Sequence, residues 1–114
     1  MYDLSKREKK IARACIDKGV EAEFIAGLEK AKKVIAEWEG GSLNNRDGYH
    51  KLFKVIKDHD KRIARRYDGL RGSQYLMTVA LIYHDKQITD KDIKDFSDET
   101  KEVIHRMDTL WDEE

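Results

Sequence analysis

The 114-residue chain contains no proline and a single cysteine. Without proline, no position forbids a helical backbone hydrogen bond, so helices run until a glycine or a capping residue stops them. One cysteine excludes an internal disulfide and suits a reducing compartment. Long apolar runs are missing as well. The longest, YLMTVALIY at 75–83, is far short of the ~20 residues that a membrane span needs. The opening MYDLSKREKKIARA lacks the apolar stretch of a secretory signal. A cytoplasmic protein that does not enter membranes is the expectation. An excess of one charge sign is absent too. Lysine plus arginine number 23 and aspartate plus glutamate 23, so any attraction to nucleic acid or anionic lipid has to come from a local patch. Glycine-rich phosphate loops are not found.

What is present is charge and helical rhythm. Hydrophobic residues make up 39% and charged residues 40%, too apolar for a disordered chain and suited to long amphipathic helices. SKRE at 5–8 reads as a capping box that starts a helix at Ser5. Gly19 offers a left-handed stop, with Val20 as the apolar residue beyond it. Ile11, Ala12, Cys15 and Ile16 lie roughly opposite, on one helical wheel, to the stripe Phe24, Leu28, Ala31, Ile35 and Trp38. The expectation is therefore a bend at Gly19 and a second helix over 20–39, so that both stripes face one core. GGSLNN ends it. A third helix, 46–67, repeats the seam with Tyr49, Leu52, Ile56, His59 and Ile63. A fourth, about 72–84, is apolar nearly all round and belongs in the middle. Helical phase returns over 89–111, with Ser97 able to cap a fresh helix inside it, as one helix or two. The predicted fold is all-α: one domain over 1–114, a compact, mainly antiparallel bundle of four to five helices around the apolar helix, ending in a disordered acidic tail at about 112–114.

Charge is unevenly placed. Residues 46–71 hold nine lysines or arginines against four acids, whereas 85–114 hold five against eleven. Lys54, Lys61 and Arg65 line the outer side of the third helix, with Arg62 and Lys57 beside them and Arg66 and Arg71 at or beyond its end. That basic face is the candidate for nucleic acid, although Asp58 sits in its row at i,i+4 spacing. On the inner side, His59 and Asp60 fall about 60° and 40° to either side of Ile56 at 100° per residue. They read as a buried histidine with a hydrogen-bond partner, or as a site facing the core. At the other end, MDTLWDEE places Leu110 and Trp111 beside acids, as an aromatic anchor for a partner.

VALIYHDK at 79–86 ends an apolar helix in His84-Asp85, with His50 one helical hairpin upstream. This resembles the H…HD…D arrangement of the HD-domain metal-dependent phosphohydrolases. The resemblance implies that His50, His84 and Asp85 bind a metal that activates water on a phosphate ester, with a last aspartate drawn from Asp90, Asp92, Asp95 or Asp98. Glu102 and His105 form a Glu-x-x-His pair, but di-iron bundles need a second copy of that motif. Cys15, on an apolar face, reads as a core thiol.

These residues rank three functions. The first is a protein that acts by protein–protein interaction or regulation, with no cofactor and no catalysis, its partner another protein or itself. The second is a nucleic-acid accessory protein using Lys54, Lys61, Arg62, Arg65, Arg66 and Arg71. The third is a phosphohydrolase with its metal on His50, His84 and Asp85, or on His59 and Asp60.

Overall fold

A computed structural model describes residues 3–113. The chain is all-α, with its helices packed on one another and no strand among the described residues. Helix α1 spans Lys6–Glu39, α2 Asn45–Tyr67, α3 Tyr75–His84, α4 Asp90–Ile93 and α5 Asp98–Asp112, with a 3₁₀ turn at Gly72–Gln74 before α3.

Local signals account for most of these boundaries. Ser5 Oγ accepts the Glu8 N–H at 3.1 Å and starts α1, and Asn44 Oδ1 accepts the Asp47 N–H at 2.8 Å and starts α2. Thr89 and Asp92 close a reciprocal capping box on α4. Ser97 caps α5 by accepting the Thr100 N–H at 3.2 Å, so the region from 89 onward is two helices. Of the expected acidic tail, Asp112 is the last residue of α5, Glu113 caps it, and Glu114 lies outside the described residues.

The break expected at Gly19 does not occur. Gly19 is buried and helical, and α1 runs through it for 34 residues. The Schellman closure forms instead at Gly41, whose φ is +86°. There Ser42 N–H reaches Glu37 C=O at 2.9 Å and Gly41 N–H reaches Trp38 C=O at 3.1 Å. A glycine inside a helix costs only about 1 kcal/mol relative to alanine, which packing readily offsets. The two stripes of α1 need not share a core, because the chain divides into two compact units: Met1–Val20 with Gly69–Glu114, and Glu21–Asp68. Each stripe of the one helix serves a different unit.

The first unit holds nearly all the conventional core. Val79, Ala80 and Ile82 of α3, Ile93 of α4, Ile104 of α5 and Ala12 of α1 are each no more than 1% exposed. Burying a side chain the size of isoleucine stabilises by about 1.5–3 kcal/mol. Helix α3 packs along α5 as the central apolar element expected of it. Polar ties register α1 on this core. Arg7 Nη2 donates to the Asp95 carbonyl at 2.9 Å, and Lys18 Nζ lies 2.6 Å from Asp92 Oδ1. Glu8, although 5% exposed, accepts the Ser97 N–H and Oγ–H on one carboxylate oxygen, both at 3.1 Å. A carboxylate is thereby seated at the positive end of α5. Burial alone would raise its pKa, but the hydrogen bonds from Thr100, Ser97 and Ser5 outweigh burial and hold it below the ordinary value.

The second unit is a helical hairpin, residues 21–39 of α1 against α2. Of the fourteen buried apolar residues among those described, it contributes only Ala31 and Val34. Its other buried residues include two glycines, Gly27 and Gly48, and the polar pair Glu23 and His59.

Candidate interaction surface

His59 explains how this hairpin closes. It is 8% exposed, and its Nε2 donates to the Glu23 main-chain carbonyl at 2.6 Å. A carbonyl can only accept, so Nε2 carries a proton; the other ring nitrogen is Nδ1. That Nδ1 is buried without a partner. Gly27 makes room for the ring: a Cβ there would come within 2.8 Å of His59 Cδ2. Near the turn, a Cβ on Gly48 would come within 3.2 Å of the Trp38 side chain. Two glycines thus let α1 and α2 approach at two levels. Glu23, 2% exposed, is neutralised by Arg62, whose Nε donates to Oε2 at 3.2 Å. The histidine that interrupts the α2 seam is thus tied to α1 by a main-chain hydrogen bond. Asp60, its neighbour, is exposed at the edge of the groove.

Because small and polar residues occupy the inner positions, the large apolar ones lie outside. Phe24, Leu28, Ile35 and Trp38 of α1 are 50, 66, 40 and 45% exposed, and Tyr49, Phe53 and Ile56 of α2 are 71, 60 and 44% exposed. At 100° per residue they fall within an arc of about 80° on each helix. Six of them line two open grooves along the hairpin, and Phe53 stands beside them on α2. One, of about 310 Å³, lies near the turn between Val34, Ile35, Trp38, Tyr49 and Leu52. The other, of about 340 Å³, lies between Phe24, Leu28, Ile56, His59 and Ile63. With aromatic side chains of about 150–250 Å² each, the seven residues expose roughly 700 Å² of apolar surface. The largest apolar patch on an ordinary monomer is about 300–600 Å². The seam read from the sequence is real, but its partner is not inside the hairpin.

The basic face of α2 lies on other sides of the helix and is partly spent. Lys54 Nζ is 2.6 Å from Asp58 Oδ2, and that contact holds the Asp58 carboxyl below its ordinary range. Arg62 is committed to Glu23, and Arg66 also has a partner. Lys61 and Arg65 are exposed and form no ion pair among the described residues. Arg71 belongs to the first unit, where its main-chain N–H donates to Gln74 Oε1 at 2.9 Å beside the 3₁₀ turn.

The first unit gathers a different cluster. His84 Nδ1 lies 2.9 Å from Asp108 Oδ1 and 3.7 Å from Asp112 Oδ1, two carboxylates one turn apart on α5. One donor atom from each residue falls within 4.8 Å of the others, a set able to hold a divalent cation. Trp111 lies edge-on to the His84 ring at 5.4 Å and is half-buried, while its neighbour Leu110 is 54% exposed. Neither His50 nor Asp85 belongs to this cluster. His50 is exposed on α2 with its ring against Tyr49, and Asp85 caps α3. His105 pairs with Asp90 at 3.0 Å and Glu102 with Arg106 at 3.3 Å, so the Glu-x-x-His residues turn to separate partners. Cys15 is a buried thiol whose Sγ contacts the Asp92 carbonyl at 3.6 Å. Burial and the nearby Asp92 charge push its pKa to about 11. The Asp-x-x-x-Asp spacing of 108 and 112 was visible in the sequence, but nothing local pointed it at His84.

No protein family, curated protein or solved structure matched the chain.

Proposed function

We propose that the protein acts by binding other protein surface, and that the apolar face of the α1–α2 hairpin is where it binds. One observation carries this reading: roughly 700 Å² of clustered aromatic and aliphatic surface on a two-helix unit whose own buried apolar residues are Ala31 and Val34. Leaving that surface in water forfeits hydrophobic free energy that association recovers. Its residues also suit recognition, because tryptophan and tyrosine dominate the energetics of most interfaces. The chemistry present elsewhere fits a binding protein as well, since Cys15 is a protonated, buried thiol and His59 a hydrogen-bonded part of the hairpin.

The test is bis-ANS fluorescence at nanomolar protein, dilute enough to separate weakly associated chains. Wild type is expected to enhance the dye strongly, and Leu28→Ser with Phe53→Ser to lose at least half of that gain with helicity unchanged. No enhancement by wild type, or an equal one in the variant, refutes the surface.

A further inference from the structure

We infer that the occupant of this face is a second copy of the same chain, docked face to face so that α1 of one protomer lies on α2 of the other. The inference rests on the interaction surface proposed above and adds its partner and its geometry. Two quantities select a second copy. The first is area. The roughly 700 Å² of apolar surface on the hairpin is close to the ~800 Å² that each side contributes to a standard stable interface. A two-fold axis uses the same patch twice, so one patch of this size suffices. The second is charge. Residues 21–39 carry three lysines against five glutamates, net −2, while α2 carries eight lysines or arginines against three aspartates, net +5.

That asymmetry also chooses between the two ways of stacking a hairpin on itself. Placing α1 on α1′ sets α2 against α2′, two helices of net +5. With the two-fold axis along the helices, α1 meets α2′ instead, and opposite net charges become neighbours. In that arrangement the same levels of the two hairpins oppose each other. Exposed Glu39, at the rim of α1 near the turn, then faces exposed Arg46 at the rim of α2′. The apolar residues interdigitate between the two pairs of helices as in a four-helix bundle, where neighbouring helices cross at about 20°. Lys61 and Arg65 stay on the outside.

Sedimentation equilibrium of the purified 114-residue chain tests this directly. Wild type at micromolar concentration is expected at twice 13.4 kDa, and Leu28→Glu with Phe53→Glu at the monomer mass with unchanged helicity by circular dichroism. Lys61→Glu, on the outer side, should leave the dimer intact. Arg46→Glu should weaken association several-fold, and adding Glu39→Arg should restore it, which distinguishes α1-on-α2′ from α1-on-α1′. A wild type that stays monomeric at 100 micromolar while still binding bis-ANS overturns the second copy and leaves a different protein as the occupant. Monomeric protein without bis-ANS binding overturns both the second copy and the surface. A dimer indifferent to Leu28→Glu with Phe53→Glu overturns the placement of the interface.

Discussion

Replacing Gly27 by alanine should destabilise the hairpin even though alanine is the better helix former. In an exposed helix the change gains about 1 kcal/mol. Here the new Cβ would lie 3.2 Å from His59 Nε2 and 2.8 Å from Cδ2, the latter at least about 0.7 Å inside the 3.5–4.0 Å of a normal carbon contact. The ring has little freedom to yield, because Nε2 is held 2.6 Å from the Glu23 carbonyl. Moving it breaks a hydrogen bond worth about 0.5–1.5 kcal/mol. Crowding of this kind costs about 1–3 kcal/mol. Set against the helix gain, Gly27→Ala should cost about 1–2 kcal/mol. The sign should reverse once the ring is removed: in a His59→Ala background, Gly27→Ala should stabilise by up to about 1 kcal/mol. The cycle therefore carries a coupling of about 2–3 kcal/mol. Urea unfolding of the four proteins, at matched concentration so that association does not enter the comparison, measures it. Amide hydrogen exchange over residues 21–68 checks that the loss falls in the hairpin. Stabilisation by Gly27→Ala alone, or a coupling under about 0.5 kcal/mol, would show that the ring does not occupy the space vacated by the glycine.

Two further outcomes follow from the first unit. Among the described residues Lys86 is the non-glycine residue with positive φ, +62°, where α3 closes with Gln87 N–H on the Ile82 carbonyl. A side chain in that conformation costs about 1–2 kcal/mol, of which the added freedom of an unfolded glycine takes back part, so Lys86→Gly should stabilise by about 0.5–1 kcal/mol in thermal unfolding. Loss of stability would refute the closure. Glu8 has a folded pKa below its ordinary 4.5, so its contribution is complete above the unfolded pKa and is lost as pH falls through the lower folded value. Glu8→Gln should cost about 1–2 kcal/mol at pH 7 and less as the pH approaches 3. A penalty independent of pH would mean that the carboxylate's charge is not what Ser97 and Thr100 recognise.

What the sequence determined by itself was local. Helix α2 begins within a residue of its expected start because Asn44 caps it, and α5 begins where Ser97 marked it, since a capping side chain reaches no farther than three residues along its own chain. The all-α class and the central position of residues 75–84 were legible for a related reason: apolar spacing records which side chains share a face. Tertiary structure decided what each face meets. The opposed stripes of α1 predict a break that lets both face one core, whereas the helix continues through Gly19 because the stripes serve separate units. Periodicity places residues on a face but carries no information about the surface opposite. For the same reason Phe24, Leu28 and Ile56 were read as an internal seam, and only packing left them exposed. The destination of Glu8, 89 residues away at Ser97, and the pairing of His84 with Asp108 also belong to the fold. Long-range partners are brought together by the packing of helices, and no spacing along the chain encodes which carboxylate a given helix end or imidazole will meet.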